Sequence, residues 1–369
     1  MHQKSLTGDR IVKPQHSVVW QAIWGGWIGL SIHSEALAYQ MWKDGWSVTY
    51  RPVEHPFGGP PRNPILRELA KQPIRENAPQ ISYIMPDFFC AGHRGYKIGY
   101  TMLEVDGIPK DWVKRCNQMD EIFVPSTFNK ETFSRSGVTV PIRVMPLGIH
   151  SSEFHPELPG QKISDTFTFL SVFEWGERKA PEVLLRAYTE EFDQGEPTLL
   201  IIKTDNRDPG VHVARQLQAM RLRENSAPVC ILFNQAIPDR QLGQLYRSAD
   251  CFVLPTRGEG WGMPIHEAMA CGLPVIATNW SAQTDFMNSE NAYPIEVRRL
   301  IPAKAKCPYY RGFKWADPDL DHLRKQMRYV VEHPEEARAK GLKASRDIHE
   351  KWTWELSARN IEEYLRTLA

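Results

Sequence analysis

Twice along this chain, short runs rich in β-branched and aromatic residues alternate with stretches whose apolar residues recur at helical spacing. In the first half the strand-like runs are Ser17 to Ile23, Trp46 to Tyr50, Ile81 to Met85, Glu121 to Val124 and Ile142 to Met145, and Ile32 to Lys43 has the helical pattern. In the second half Phe167 to Val172, Thr198 to Ile202, Val229 to Phe233, Asp250 to Leu254 and Pro274 to Ala277 read as strands. Pro181 to Tyr188, His212 to Leu222, Asp239 to Tyr246 and Pro264 to Cys271 read as their helices. Such alternation marks a parallel sheet covered by helices, and a chain of 369 residues is too long for one ordinary core. The expectation is an α/β protein of two Rossmann-like, doubly wound domains. A polar, proline-bearing stretch up to Ser164 separates them, which divides the chain into residues 1–155 and 156–352. The helical segment Trp354 to Leu365, within residues 353–369, is long enough to cross back onto the first domain.

Charge and cysteine usage exclude several classes. Lysine plus arginine number 45 against 44 aspartate plus glutamate, so no global field would gather nucleic acid or anionic lipid. The six cysteines include no C-x-x-C pair, and no zinc or redox motif follows from them. The first thirteen residues lack an apolar signal core and no run reaches the length of a membrane span, which points to a cytoplasmic protein. Trp20, Trp24, Trp27, Trp42 and Trp46 crowd one short stretch. Peripheral contact with the inner face of the membrane through some of them stays open beside ordinary core packing.

Chemistry concentrates in the second half. After the strand ending at Leu254, the run Gly258-Glu259-Gly-Trp261-Gly262-Met263-Pro264-Ile-His266-Glu267 reads as a glycine-rich loop followed by a helix with proline in its first turn. Unpaired N–H groups and the helix dipole favour a phosphate at such a junction. A carboxylate there would repel phosphate, so Glu259 and Glu267 fit as acceptors for sugar or ribose hydroxyls. Arg178 and Lys179 follow the first strand of this half, where open α/β sheets bind ligands, and suit a diphosphate. Asn234 ends the third strand, and Gly25 and Gly26 make a strand-to-helix loop in the first half beside Trp27, a candidate sugar platform. His93, Glu104 and Asp106 are the remaining loop candidates. The proline-rich excursion from Glu54 to Gln80 is an irregular insertion of the kind that carries acceptor contacts.

The string G-E-G-W-G-M-P-I-H-E-A-M-A-C-G-L-P-V-I-A-T, with two glutamates framing seven residues, resembles the donor signature of the family 4 glycosyltransferases. The resemblance extends through most of the second half. In the first half it touches the glycine loop and the blocks Gly99 to Pro109 and Phe123 to Asn129. It implies a GT-B fold whose domains face a cleft, and transfer of a hexose-type sugar from a UDP- or GDP-sugar with retention. The acceptor would be a glycan, glycolipid or small-molecule hydroxyl, and no metal or cofactor would be required. By resemblance, Glu259 holds the transferred sugar and Glu267 the ribose, while Trp261, Gly262 and Met263 approach sugar and diphosphate through their backbones. Gly25 and Gly26 face the donor, and Asn234 marks the base. Arg178 and Lys179 neutralise the leaving group, although Ala180 stands where many members have glycine. His93 is carried as a further candidate for the reacting sugar. A nucleotide-sugar epimerase, a sugar phosphorylase and a silent sugar-nucleotide scaffold are the rival readings.

Overall fold

The computed structural model describes residues 16–25, 28–56, 58–206, 208, 210–235, 237–304 and 306–368. The first sheet contains β1 (Ser17–Ile23), β2 (Ser47–Val53), β3 (Gln80–Tyr83), β4 (Lys97–Tyr100), β5 (Glu121–Val124) and β6 (Ile142–Val144). Its order is β2-β1-β3-β4-β5-β6, and every pairing is parallel. Helices α1 (Gly29–Lys43), α2 (Ile65–Ala70), α3 (Lys110–Cys116) and α4 (Thr127–Arg135) accompany it. Strands buried on both faces lose the polar alternation of a half-exposed sheet, and all four residues of β5 are buried.

The second sheet repeats the plan with β7 (Phe167–Glu174), β8 (Thr198–Asp205), β9 (Val229–Phe233), β10 (Cys251–Leu254), β11 (Val275–Thr278) and β12 (Tyr293–Ile295). Its order is β12-β11-β10-β7-β8-β9, again parallel throughout. Helices α5 (Pro181–Glu191), α6 (Val213–Ala219), α7 (Asp239–Arg247) and α8 (Met263–Ala270) connect these strands. The direction of winding reverses between β10 and β7, and such a switch point opens a crevice beyond the carboxyl ends of the strands.

Two features go beyond the sequence reading. After β12 the chain forms an antiparallel ribbon, β13 (Val297–Pro302) with β14 (Lys314–Pro318), before α9 (Leu320–Glu332) and α10 (Pro334–Lys351). The ribbon leaves its own sheet and docks on the first half. Tyr309 packs on Trp112 with ring centroids 4.7 Å apart, Phe313 covers Gly107, and Asp106 exchanges hydrogen bonds with the backbone of Lys314. Second, β4 and β12 were not foreseen: Lys-Ile-Gly-Tyr is broken by a charge and a glycine, and Tyr-Pro-Ile by a proline, so neither gives an apolar run.

The last helix, α11 (Trp354–Arg366), packs against the first sheet rather than the second. Trp354 lies 6.0 Å from the His33 ring, Tyr364 lies 5.6 Å from Phe123, and the Arg143 guanidinium sits 3.9 Å over Tyr364. The Tyr364 hydroxyl donates to the buried Glu121 carboxylate. A parallel bridge from Ile149 to Thr353 joins the two chain crossings, and Gly148 is glycine because a Cβ there would stand 2.3 Å from Thr353.

Candidate functional site

Beyond the switch point of the second sheet, the segments after β7 and β10 bond directly to each other. The β7 segment closes a short 3-10 turn, Glu177–Lys179, and the N–H of Arg257 donates to the Arg178 carbonyl at 2.7 Å. The Arg257 guanidinium reaches back to the Glu177 carbonyl and the Glu182 carboxylate. This crosslink places Arg178, Lys179 and Glu259 in one group. Arg178 Nη1 donates to the Gly258 carbonyl at 2.6 Å and to Glu259 Oε2 at 3.1 Å, while Lys179 Nζ donates to Glu259 Oε1 at 2.5 Å. Burial works to raise the Glu259 pKa, but the adjacent Lys179 and Arg178 outweigh it and hold the carboxyl below its ordinary range.

Backbone strain accompanies this geometry. Ala180 is in the left-handed region at φ 50°, the conformation that the more usual glycine would adopt without penalty. Ser281 also has positive φ, at 71°, and its hydroxyl accepts from the Glu259 N–H at 2.8 Å while donating to Gln283. Two non-glycine residues in such conformations beside one carboxylate fit the pattern of strain held at a binding centre. Nothing local in the sequence announces Ser281.

Gly262, at φ 98°, turns the loop into α8 with Pro264 in its first turn. The first N–H groups of the helix have no intrahelical acceptor, so Gly262 and Met263 present donors beside the Arg178–Lys179–Glu259 group. The Trp261 side chain turns inward, against His266, Phe286 and Trp352. Its indole donates to His266 Nδ1 at 3.3 Å, and burial lowers the His266 pKa to about 3, so this imidazole is a neutral packing element. Glu267 lies buried one turn into α8 and accepts from the Tyr246 hydroxyl at 2.9 Å. Burial pushes its pKa up to about 8. Tyr246 was missed by the sequence reading, because it lies on α7 and meets Glu267 only in the fold.

Asn234 follows β9 at φ 52°, and its side-chain oxygen accepts from the Asn206 N–H at 3.2 Å. It is therefore two strands away from β7, at the sheet edge. Beside it, Phe233, Ile231, Val211, Val213 and Leu217 line a cavity of about 560 Å³.

The first half contributes two loops. Gly25 has φ 55°, and a Cβ there would stand 2.1 Å from the Pro60 carbonyl, so the segment after β2 requires this glycine. The Gly25 N–H donates to Glu35 Oε1 at 2.6 Å, the Arg62 N–H donates to Glu35 Oε2 at 2.9 Å, and the Arg62 guanidinium pairs with Asp239 at the start of α7 at 3.3 Å. Gly26 and Trp27 lie outside the described residues. The second loop follows β4. Glu104 approaches Arg178 at 3.8 Å, while Gly258 and Gly260 are glycines that meet the Glu104 carbonyl and the Met102 side chain.

His93 is not part of this assembly. It precedes β4, at the amino end of the strands, where its Nε2 pairs with the Ala78 carbonyl at 2.7 Å. The crevice opens at the carboxyl ends, so the structure places His93, a candidate from the sequence, in a loop away from the Arg178–Lys179–Glu259 group. Asp106 likewise holds the ribbon backbone rather than facing the crevice. No group of three or more metal-ligating side chains occurs among the described residues, and among them no helix is long and apolar enough to cross a membrane.

Residues 164–304 match the family described as Glycosyl transferases group 1. A putative glycosyltransferase 45 from a Sulfolobus islandicus filamentous virus is 22% identical over 248 residues, covering 65% of this chain and 66% of that protein. A D-inositol 3-phosphate glycosyltransferase of Rhodococcus opacus is 38% identical over 104 residues, covering 27% of this chain and 23% of that protein. The chain thus spans just under two thirds of the viral relative and about a quarter of the actinobacterial one. Among solved structures, sucrose-phosphate synthase from Thermosynechococcus elongatus has a TM-score of 0.69 at 17% identity, covering 96% of this chain and 99% of that one. HepE of Anabaena, solved with UDP-glucose, has a TM-score of 0.66 at 13% identity, covering 95% and 99%. With two parallel six-stranded sheets and these likenesses, the chain has the GT-B fold, and residues 164–304 of its second half are similar to the group 1 glycosyl transferases.

Proposed function

We propose that the protein is a retaining glycosyltransferase that moves a hexose-type sugar from a UDP- or GDP-sugar to the hydroxyl of a glycan, glycolipid or small molecule. The observation that carries this reading is the interlocked group of Arg178, Lys179 and Glu259 at the switch point, beside the N-terminus of α8. A buried lysine, a half-buried arginine and a set of unpaired N–H groups are suited to a diphosphate, and a carboxylate kept ionised between them is suited to sugar hydroxyls. Glu267 would take the ribose, and the base would rest near Asn234 and the apolar cavity beside it. HepE, of the same fold, was solved with UDP-glucose, which supports a nucleotide-sugar donor here.

In the proposed reaction the bond between the anomeric carbon and the diphosphate oxygen breaks, and the acceptor oxygen bonds to the same face of that carbon. The acceptor proton passes to the departing phosphate. Arg178, Lys179 and the loop amides balance the charge that grows on the leaving group, so the protein supplies positioning and electrostatics, with no bound metal required by this route.

A thermal-shift screen against UDP, GDP, ADP and their sugar conjugates tests the donor site. One nucleotide should stabilise the protein, and the shift should vanish in Glu267→Ala and in the Arg178→Ala plus Lys179→Ala double variant. A folded protein that no nucleotide stabilises would refute the reading. Product analysis with the stabilising sugar nucleotide and an acceptor panel then separates transfer from epimerisation.

A further inference from the structure

Among the carboxylates around Arg178, one comes from the wrong half of the molecule. Glu104 follows β4 of the first sheet, yet its Oε1 stands 3.8 Å from Arg178 Nη2, and its Oε2 accepts from the Tyr310 hydroxyl at 2.7 Å. Tyr310 itself lies between β13 and β14, on the ribbon that the second half docks on the first. The carboxylate is thus shared between a guanidinium and a phenol, one oxygen to each.

The charges in the group balance before any ligand is considered. Arg178 and Lys179 are the cations, and Glu259 and Glu104 are the anions. A diphosphate added to a neutral group gains little, so one carboxylate must give way. Glu259 is poorly placed to do so. It is bonded by both cations, its side chain is 6% exposed, and its N–H is tied to Ser281. Glu104 is 19% exposed on its side chain, touches only the outer nitrogen of Arg178 beyond hydrogen-bonding distance, and keeps a partner in Tyr310 if that contact is lost.

Building on the donor site proposed above, we propose that Glu104 is a residue of the donor-phosphate site. It acts as an internal anion that competes with the diphosphate for Arg178 and, when displaced, stays on the Tyr310 hydroxyl. Tyr310 acts through Glu104 and is a positioning residue.

Calorimetric titration of the full chain with UDP and GDP, and with uridine and guanosine as phosphate-free probes, tests this. For whichever diphosphate binds the native protein, Glu104→Gln should tighten binding about tenfold, with the gain shrinking as salt rises, because a like charge beside the phosphates is removed. Affinity for the matching nucleoside should not change. Tyr310→Phe should weaken diphosphate binding several-fold in the native background and have no effect in Glu104→Gln, since the hydroxyl works only through that carboxylate. Unchanged or weaker diphosphate binding in Glu104→Gln, an equal gain for the nucleoside, or a Tyr310→Phe effect that persists in Glu104→Gln would each overturn the proposal. Failure of the native protein to bind either diphosphate is a different result, since it removes the donor site itself and this inference with it.

Discussion

At single residues, the fold explains substitutions that look conservative on paper. Ala180 has φ 50° and is fully buried, so its methyl group gains no compensating freedom. Ala180→Gly should raise stability by about 0.5–1 kcal/mol in denaturant unfolding, the left-handed penalty less the extra entropy glycine brings to the unfolded chain. Gly258→Ala would push a methyl group to 2.3 Å from the Glu104 carbonyl, whereas Gly260→Ala meets the Met102 thioether at 2.7 Å. A backbone carbonyl cannot step aside and a methionine can, so Gly258→Ala should cost about 1–3 kcal/mol and Gly260→Ala clearly less. Glu267 carries a pH signature. Its folded pKa is about 8, above the ordinary 4.5, so its contribution is fully present below 4.5 and is lost as pH rises toward 8. Thermal stability should therefore carry a falling component across that window, and Glu267→Gln should abolish that component. Glu259 and Glu267 stood out in the sequence because they sit inside one contiguous motif, and Arg178 and Lys179 because they directly follow the first strand of the second half. Glu104 was a bare candidate, Tyr246 and Ser281 were unseen, and the position of His93 at the amino end of the strands could not be read, because each depends on which strand end the fold turns toward the crevice.

Among the elements, the ribbon was the least legible. Val-Arg-Arg-Leu-Ile-Pro is charged and ends in proline, and its partner strand begins with lysine, so neither run has the apolar alternation of a buried strand. What stabilises it is the surface it docks on. A Cβ at Gly107 would lie 2.5 Å from the Phe313 ring, so Gly107→Ala should loosen the ribbon and expose residues 306–313 to proteolysis. Phe313→Ala in the Gly107→Ala background should cost less than the two changes summed, which a double-mutant cycle in denaturant would measure. The parallel strands were easier, since their apolar runs repeat between helices in both halves. Two parallel strands were missed: β4, Lys-Ile-Gly-Tyr, begins with a charge and is interrupted by glycine, and β12, Tyr-Pro-Ile, has proline at its centre.

Across the whole molecule, the halves meet at several places among the described residues, including the ribbon on α3, the Arg62–Asp239 pair, Glu104 beside Arg178, the Thr127–Asp285 hydrogen bond and α11 on the first sheet. Unfolding should accordingly be followed as one transition by calorimetry and by tryptophan fluorescence. Deleting residues 353–369 should split it, with the first half melting at the lower temperature. The plan of two parallel sheets was readable from pattern, whereas most of the contacts that couple the halves were not, because they join residues far apart in sequence. The placement of α11 also sets a timetable. More than two hundred residues separate Val144, at the end of the first sheet, from Trp354, where α11 starts. At ribosomal speeds that is roughly 10–40 s during which the first half has been translated without the helix that covers it. The portion made first is thus completed last, and a nascent chain halted before residue 354 would display the face around Phe123 and His33 to chaperones.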